Sequence, residues 1–299
     1  MMRSAVVLAR RGMTLVELLV VMAVVGVLIG LIVLAVQMAR EAARRTSCGG
    51  NLRQVAIAAQ LFESARRHLP AGMVDAADRT MPYATWATQL LPFIEEGALW
   101  QATTEAYARR KDPFGTPEHV GFARVLPLLA CPSDPRVARP QSSVEYGPVA
   151  LMSYVGVAGR DGRSKDGVFY AGSQTRVRDI ADGQSMTLLF GERPPSDLFE
   201  FGWWYCGYGQ YGLGTPDMVL GVREQNLGWG GNGVCRQGPY EFAPGAFANR
   251  CDSFHFWSPH PGGGHFVMAD ATVRFLDYEA DAVLPAMATR SGGDRADPL

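Results

Sequence analysis

Arg10-Arg11-Gly12-Met13-Thr14-Leu15-Val16-Glu17 opens an apolar run that continues to Val36. Glu17 is the only charged residue between Gly12 and Val36. An apolar run of about 18 residues or more is long enough to cross a bilayer as a helix. In hydrocarbon each backbone polar group must pair within its own segment, so this run is predicted to be helical. A carboxylate inside such a segment is costly and marks a functional position. The plain alternative is a side chain that snorkels to the interface from the helix end.

Gly12-Met13-Thr14-Leu15-Val16-Glu17 resembles the N-terminal signal of type IV prepilins and type II secretion pseudopilins. The resemblance implies that a membrane aspartyl peptidase, the prepilin peptidase, cuts after Gly12. It also implies methylation of the new N-terminus, Met13, which stands where phenylalanine is commoner. Glu17 becomes the fifth mature residue and is implied to pair with the N-terminal amine of a neighbouring subunit. In hydrocarbon that pair is favoured because either charge alone is expensive. An ordinary secretory signal would be cut after its apolar core. Ala35, Ala39, Ala42 and Ala43 could mimic such a site, but that reading leaves Glu17 without a role.

Charge does not orient the anchor. Arg3, Arg10 and Arg11 flank one end, and Arg40, Arg44 and Arg45 flank the other, so the positive-inside rule is nearly balanced. The prepilin resemblance implies a cytoplasmic N-terminus, a single pass through the inner membrane, a periplasmic head, and display at the cell surface if subunits assemble. Its implied partners are the membrane, the peptidase and other pilin-like subunits.

Past Val36 the pattern turns amphipathic through Arg45. Gly49-Gly50 costs a helix about 2 kcal/mol relative to alanine, which predicts a kink. Leu52, Val55, Ala56, Ala59 and Phe62 restore helical spacing, and the helix is predicted to end near His68-Leu69-Pro70. The domain reading is a basic leader (1–12), a transmembrane helix (13–36), its amphipathic continuation (37–68) and a head (69–299). Within the head, one short helix is predicted around Trp86–Trp100. Strands are predicted at 153–159, 167–170, 175–180, 185–192 and 201–206. Asp182-Gly183 is a turn signal between two of them. Residues 265–269 and 272–276 read as a hairpin, although Ala271 suits a positive-φ turn position poorly. A short helix is predicted over Ala280–Ala288. The fold class is α+β and pilin-like, with a long N-terminal helix and an antiparallel β-rich head.

The chain has 299 residues, a net charge of −1 and 47% hydrophobic residues, enough for a substantial core and without the basic footprint of a nucleic-acid binder. Loss of residues 1–12 would remove Arg3, Arg10 and Arg11 and move the net charge from −1 to −4. Five cysteines leave at least one unpaired in a monomer. Cys235 with Cys251 is the first candidate disulfide and Cys48 with Cys131 the second. Free buried thiols are the alternative.

Further motifs resemble a family of bacterial prepilin-like proteins, domain-of-unknown-function family 1559. They are Cys48-Gly49-Gly50-Asn51-Leu52-Arg53-Gln54, Cys131-Pro132-Ser133-Asp134, Ser153-Tyr154-Val155-Gly156 and Asp182-Gly183-Gln184-Ser185. Phe254–Gly263, Ala269-Asp270 and Val273-Arg274-Phe275-Leu276 match as well. The family carries a histidine, nine residues, then Asp-Gly; His260 and Asp270 keep that spacing, with Ala271 in place of the glycine. The resemblance implies an architecture and an address, not an activity.

Downstream chemistry is weaker. His255, His260 and His265 recur every five residues with Asp252 and Asp270 near, a candidate transition-metal set. Prolines and glycines break any regular face there, so the preferred reading is a structural turn with His260 and Asp270 bonded to each other. Ser258, His260 and Asp270 lack the Gly-x-Ser-x-Gly elbow of a hydrolase triad. Trp203, Trp204, Tyr205, Tyr208, Tyr211 and Trp229 could stack on ligands or fill a core. The chain is therefore expected to be a non-enzymatic, cofactor-free prepilin-like structural subunit. One alternative is an envelope-anchored module that binds sugar or peptide, and another is a metal-dependent hydrolase.

Overall fold

The computed structural model of the chain describes residues 13–143, 145–228 and 234–293. The first helix, α1, runs unbroken over Leu15–Arg66. The chain divides into two compact units, one ending at Ala43 and the other beginning at Arg44.

Among its described residues the first unit is helical from Leu15 onward, and its large apolar side chains from Met13 to Met38 are exposed. By length and composition α1 is able to cross a membrane.

In the second unit α1 buries Cys48, Leu52, Val55, Ala56, Ala58, Ala59 and Phe62. The expected kink at Gly49-Gly50 is absent. Burying each large apolar side chain contributes about 1.5–3 kcal/mol, so Leu52, Val55 and Phe62 together outweigh the glycine penalty. Gly49 also fits its surroundings, since a Cβ there would lie 3.3 Å from the His265 ring. The helix stops at Arg66 because Arg67 takes a left-handed φ of 68°.

The helical part of the head continues with α2 (Trp86–Leu90) and α3 (Gly97–Arg109). Thr85 caps α2 by accepting from the Thr88 N–H at 3.2 Å. A small ribbon pairs β1 (Gln141–Ser143) with β2 (Gly147–Val149). The main sheet holds β3 (Tyr154–Gly159), β4 (Leu188–Glu192), β5 (Val219–Gly221), β6 (Gly263–Met268) and β7 (Val273–Asp277). Its order is β5-β3-β4-β6-β7, with β3–β5 parallel and the other pairs antiparallel. Every residue of β3, β4 and β6 is buried, so both faces of these strands are covered.

The C-terminal hairpin forms in the register His265–Phe275, Phe266–Arg274 and Val267–Val273. Ala271 does take a positive φ of 65° in its turn. Three predicted strands do not form as such. Residues 167–170 are irregular, although the Phe169 N–H reaches the Val157 carbonyl at 3.1 Å. A 3-10 turn at Val177–Asp179 replaces the next, so Asp182-Gly183 joins no hairpin. Trp203 and Cys206 make only isolated bridges, to Leu151 and Ala84. At the C-terminus, a 3-10 turn (Tyr278–Ala282) precedes α4 (Leu284–Ala288). Cys48 is bonded to Cys131 and Cys235 to Cys251, each with Cα atoms 5.4 Å apart. Cys206 is a buried free thiol whose pKa burial pushes up.

Candidate functional site

Gly12 and the leader lie outside the described residues, and Met13 is exposed. Thr14 and Glu17 bond to each other at the start of α1. The Thr14 N–H and hydroxyl donate to Glu17 Oε2 at 2.8 and 3.0 Å, and the Glu17 N–H donates to Thr14 Oγ1 at 3.2 Å. This is a capping box, in which two backbone donors that the helix leaves orphaned are satisfied reciprocally. The sequence reading gave Glu17 an intersubunit role or a snorkelling one, not a cap; the Thr-x-x-Glu spacing before an apolar run was the available signal for the cap.

The second constellation is buried within the head. Four separate segments bring together Cys48 from α1, Cys131 after the 3-10 turn Pro127–Leu129, Glu192 at the end of β4, and His260 ahead of β6. Each is at most 2% exposed. His260 Nε2 lies 3.5 Å from Cys131 Sγ and 3.4 Å from Glu192 Oε1. The other Glu192 oxygen, Oε2, accepts from the His265 backbone N–H at 2.7 Å and lies 3.2 Å from His265 Nδ1. Burial works to raise the Glu192 pKa, but His260 and His265 outweigh it and hold the carboxyl below its ordinary value.

Around this centre the second contacts are set by backbone. The His260 N–H donates to Ser258 Oγ at 3.1 Å, and that hydroxyl donates to the Gly263 carbonyl at 2.6 Å. The Cys131 N–H donates to Ser153 Oγ at 3.0 Å. Asn51, one helical turn after Cys48, donates to the Ala130 carbonyl at 3.2 Å. Donor atoms of Cys48, Cys131, Glu192 and His260 all lie within 4.8 Å of one another, so with the Cys48–Cys131 bond reduced these four residues could hold a metal ion.

The histidine series therefore splits. His260 and His265 meet through Glu192, which the sequence reading did not single out. His255 sits elsewhere, with Nε2 3.1 Å from Asp252 Oδ1 and Nδ1 3.0 Å from the Phe256 carbonyl. Asp270 is exposed in the β6–β7 turn, where it accepts from the Thr272 N–H at 2.8 Å. His260 precedes the six-residue strand β6 and Asp270 follows it. A strand of that length spans ~20 Å, so the two do not hold one loop together, and no Ser258–His260–Asp270 triad forms.

The aromatic-rich region divides as well. Trp204 and Tyr205 are core residues, Tyr211 is exposed, and Trp229 lies outside the described residues. Trp203 and Tyr208 join Tyr83, Phe114 and Tyr146 around a cavity of about 520 Å³. Tyr146 and Trp203 meet edge to face at 5.5 Å, and Tyr83 and Tyr208 at 5.9 Å. Glu145, Glu200 and Asp217 add carboxylates to the lining. Burial pushes the Asp217 pKa up to about 7.

Comparison with known families covers both parts of the chain. The family described as "Protein of unknown function (DUF1559)" matches residues 37–282. The chain belongs to the DUF1559 family. The prokaryotic N-terminal methylation motif matches residues 8–33. This DUF1559 chain thus carries a prepilin-type N-terminal signal on a helix suited to a single-pass membrane anchor. No curated protein and no solved structure matches it.

Proposed function

We propose that this DUF1559 chain is a prepilin-type structural subunit of the cell envelope. Prepilin peptidase cuts it after Gly12, and Met13 is methylated. The N-terminal side of α1 faces the cytoplasm and the head faces the periplasm. Subunits associate through Glu17 and the Met13 amine of a neighbour, in a type II secretion or type IV pilus-like assembly. The observation that carries this reading is the methylation motif over residues 8–33, coincident with the start of the apolar helix. The two disulfides support an oxidising compartment for the head. The work is assembly rather than catalysis, in keeping with a Cys–His–Glu cluster closed to solvent. N-terminal mass spectrometry of the membrane form tests the reading. A chain beginning with methylated Met13 supports it, and a chain still beginning at Met1 contradicts it.

The aromatic cavity favours a second reading, an envelope-anchored module that binds sugar or peptide. Stacking faces ringed by carboxylates suit a pyranose or a basic peptide. Titration of the detergent-solubilised full chain with neutral oligosaccharides and basic peptides, followed by tryptophan fluorescence, tests it. Saturable quenching supports binding, and a flat response to both ligand classes removes it.

A further inference from the structure

We propose that Cys48, Cys131, His260 and Glu192 form a closed tetrahedral site for a thiophilic divalent metal such as Zn²⁺ in the thiol form of the protein. The Cys48–Cys131 disulfide is then the metal-free, oxidised form of the same site. The inference is independent of prepilin processing.

The donor set comes first. Two thiolates, an imidazole and a carboxylate are ligand types that Zn²⁺ accepts in four-coordinate sites, at bonds of ~2.0–2.3 Å. A tetrahedron with such bonds has ligand–ligand edges of about 3.3–3.8 Å. The His260 Nε2 distances, 3.5 Å to Cys131 Sγ and 3.4 Å to Glu192 Oε1, both fall on that scale. The latter is long for an imidazole–carboxylate hydrogen bond, whose usual length is about 2.7–3.2 Å. Glu192 Oε1 is buried and no well-formed hydrogen bond reaches it, although buried carboxylate oxygens normally have one. It faces His260 while Oε2 is held by His265. Fixing one carboxylate oxygen and leaving the other bare is how an outer contact orients a metal-ligating carboxylate. The four residues are at most 2% exposed, which matches a structural site with every position taken by protein rather than a catalytic site with an open one.

Metal and disulfide exclude each other chemically. In newly made chains Cys48 and Cys131 are thiols, and each loses a proton as its sulfur bonds the metal. Oxidation of the loaded site by a carrier disulfide breaks the carrier's S–S bond and forms the Cys48–Cys131 bond. Two electrons pass to the carrier, its sulfurs take up two protons, and the metal ion leaves.

The test uses the full chain, produced and purified in detergent with a phosphine reductant, oxygen excluded and Co²⁺ supplied. Thiol alkylation read by mass spectrometry verifies that Cys48 and Cys131 are reduced. The expected result is one Co²⁺ per chain, with thiolate-to-cobalt charge-transfer absorption and the intense visible bands of tetrahedral Co²⁺. Cys235→Ser with Cys251→Ser should keep that spectrum, while Cys48→Ser, which leaves one thiolate, should clearly weaken the charge-transfer band. His260→Gln, which keeps both sulfurs, should weaken Co²⁺ binding by at least the roughly 10–100-fold that loss of an outer contact costs. Reoxidation with a soluble disulfide should release the ion. Absence of thiolate–cobalt absorption in the reduced wild type overturns the proposal. So does an unchanged spectrum in folded Cys48→Ser and His260→Gln proteins, with folding checked by circular dichroism.

Discussion

Thr14 and Glu17 cap the first turn of α1 for one another, through three hydrogen bonds of 2.8–3.2 Å. The same carboxylate is proposed to meet a neighbour's amine, so two roles compete for one side chain. They separate by substitution. Glutamine at the third helical position still caps, but carries no charge. Glu17→Gln should keep the Thr14 amide protected from hydrogen exchange. Glu17→Ala should speed its exchange by about fivefold, the equivalent of a cap contribution of about 1 kcal/mol. Both variants should lose assembly, measured by crosslinking in membranes. Normal assembly of Glu17→Gln would show that the charge is not needed.

The Cys235–Cys251 bridge closes a sequence separation of 16 residues. A loop of that size is worth about 3 kcal/mol to the folded state. Replacing both cysteines with serine should lower the denaturation midpoint of the head accordingly. An unchanged midpoint would mean that the bridge does not constrain the unfolded chain.

Tyr208 lines the aromatic cavity yet is 45% exposed. Tyr208→Ala should therefore cost under about 1 kcal/mol of stability, as partly exposed substitutions usually do. If the cavity takes a stacked ligand, the same change should weaken binding about tenfold, the equivalent of about 1.4 kcal/mol. Equal affinity in the variant would place the ligand elsewhere.

Burial raises the Asp217 and Glu224 pKa values to about 7 each. Both carboxyls hold their protons more tightly in the folded head than in the unfolded chain. Their contribution is complete below pH 4 and is lost as pH rises through about 7. Buried His119 works in the opposite sense, since burial lowers its pKa from 6.5 and its contribution is lost as pH falls. The window for the carboxyls alone therefore lies between about pH 6.5 and 8. Urea midpoints should fall across that window, and the Asp217→Asn head should show a shallower fall. A midpoint that rises from pH 6.5 to 8 would contradict this assignment.

Local signals made the anchor and the last hairpin legible. Apolar residues from Leu15 to Val36 have only one conformation open to them in hydrocarbon, and two β-prone runs about a short turn specify β6 and β7. The continuity of α1 through Gly49-Gly50 was not legible, because it is decided by what Leu52, Val55 and Phe62 bury. The cluster was hidden for the same reason. Cys48, Cys131, Glu192 and His260 are dispersed along the chain and meet only through the β4–β6 pairing and the α1 packing face. Glu192 ends the buried strand β4, and its pairing with His260 and His265 could not be read in advance because both come from a distant segment.

The mass of the mature N-terminus tests the proposed role most directly. Membranes from cells that make the full chain should yield an N-terminal peptide beginning at Met13 and carrying one added methyl group. A chain that retains Met1, or one that begins beyond residue 35, would contradict prepilin-type processing.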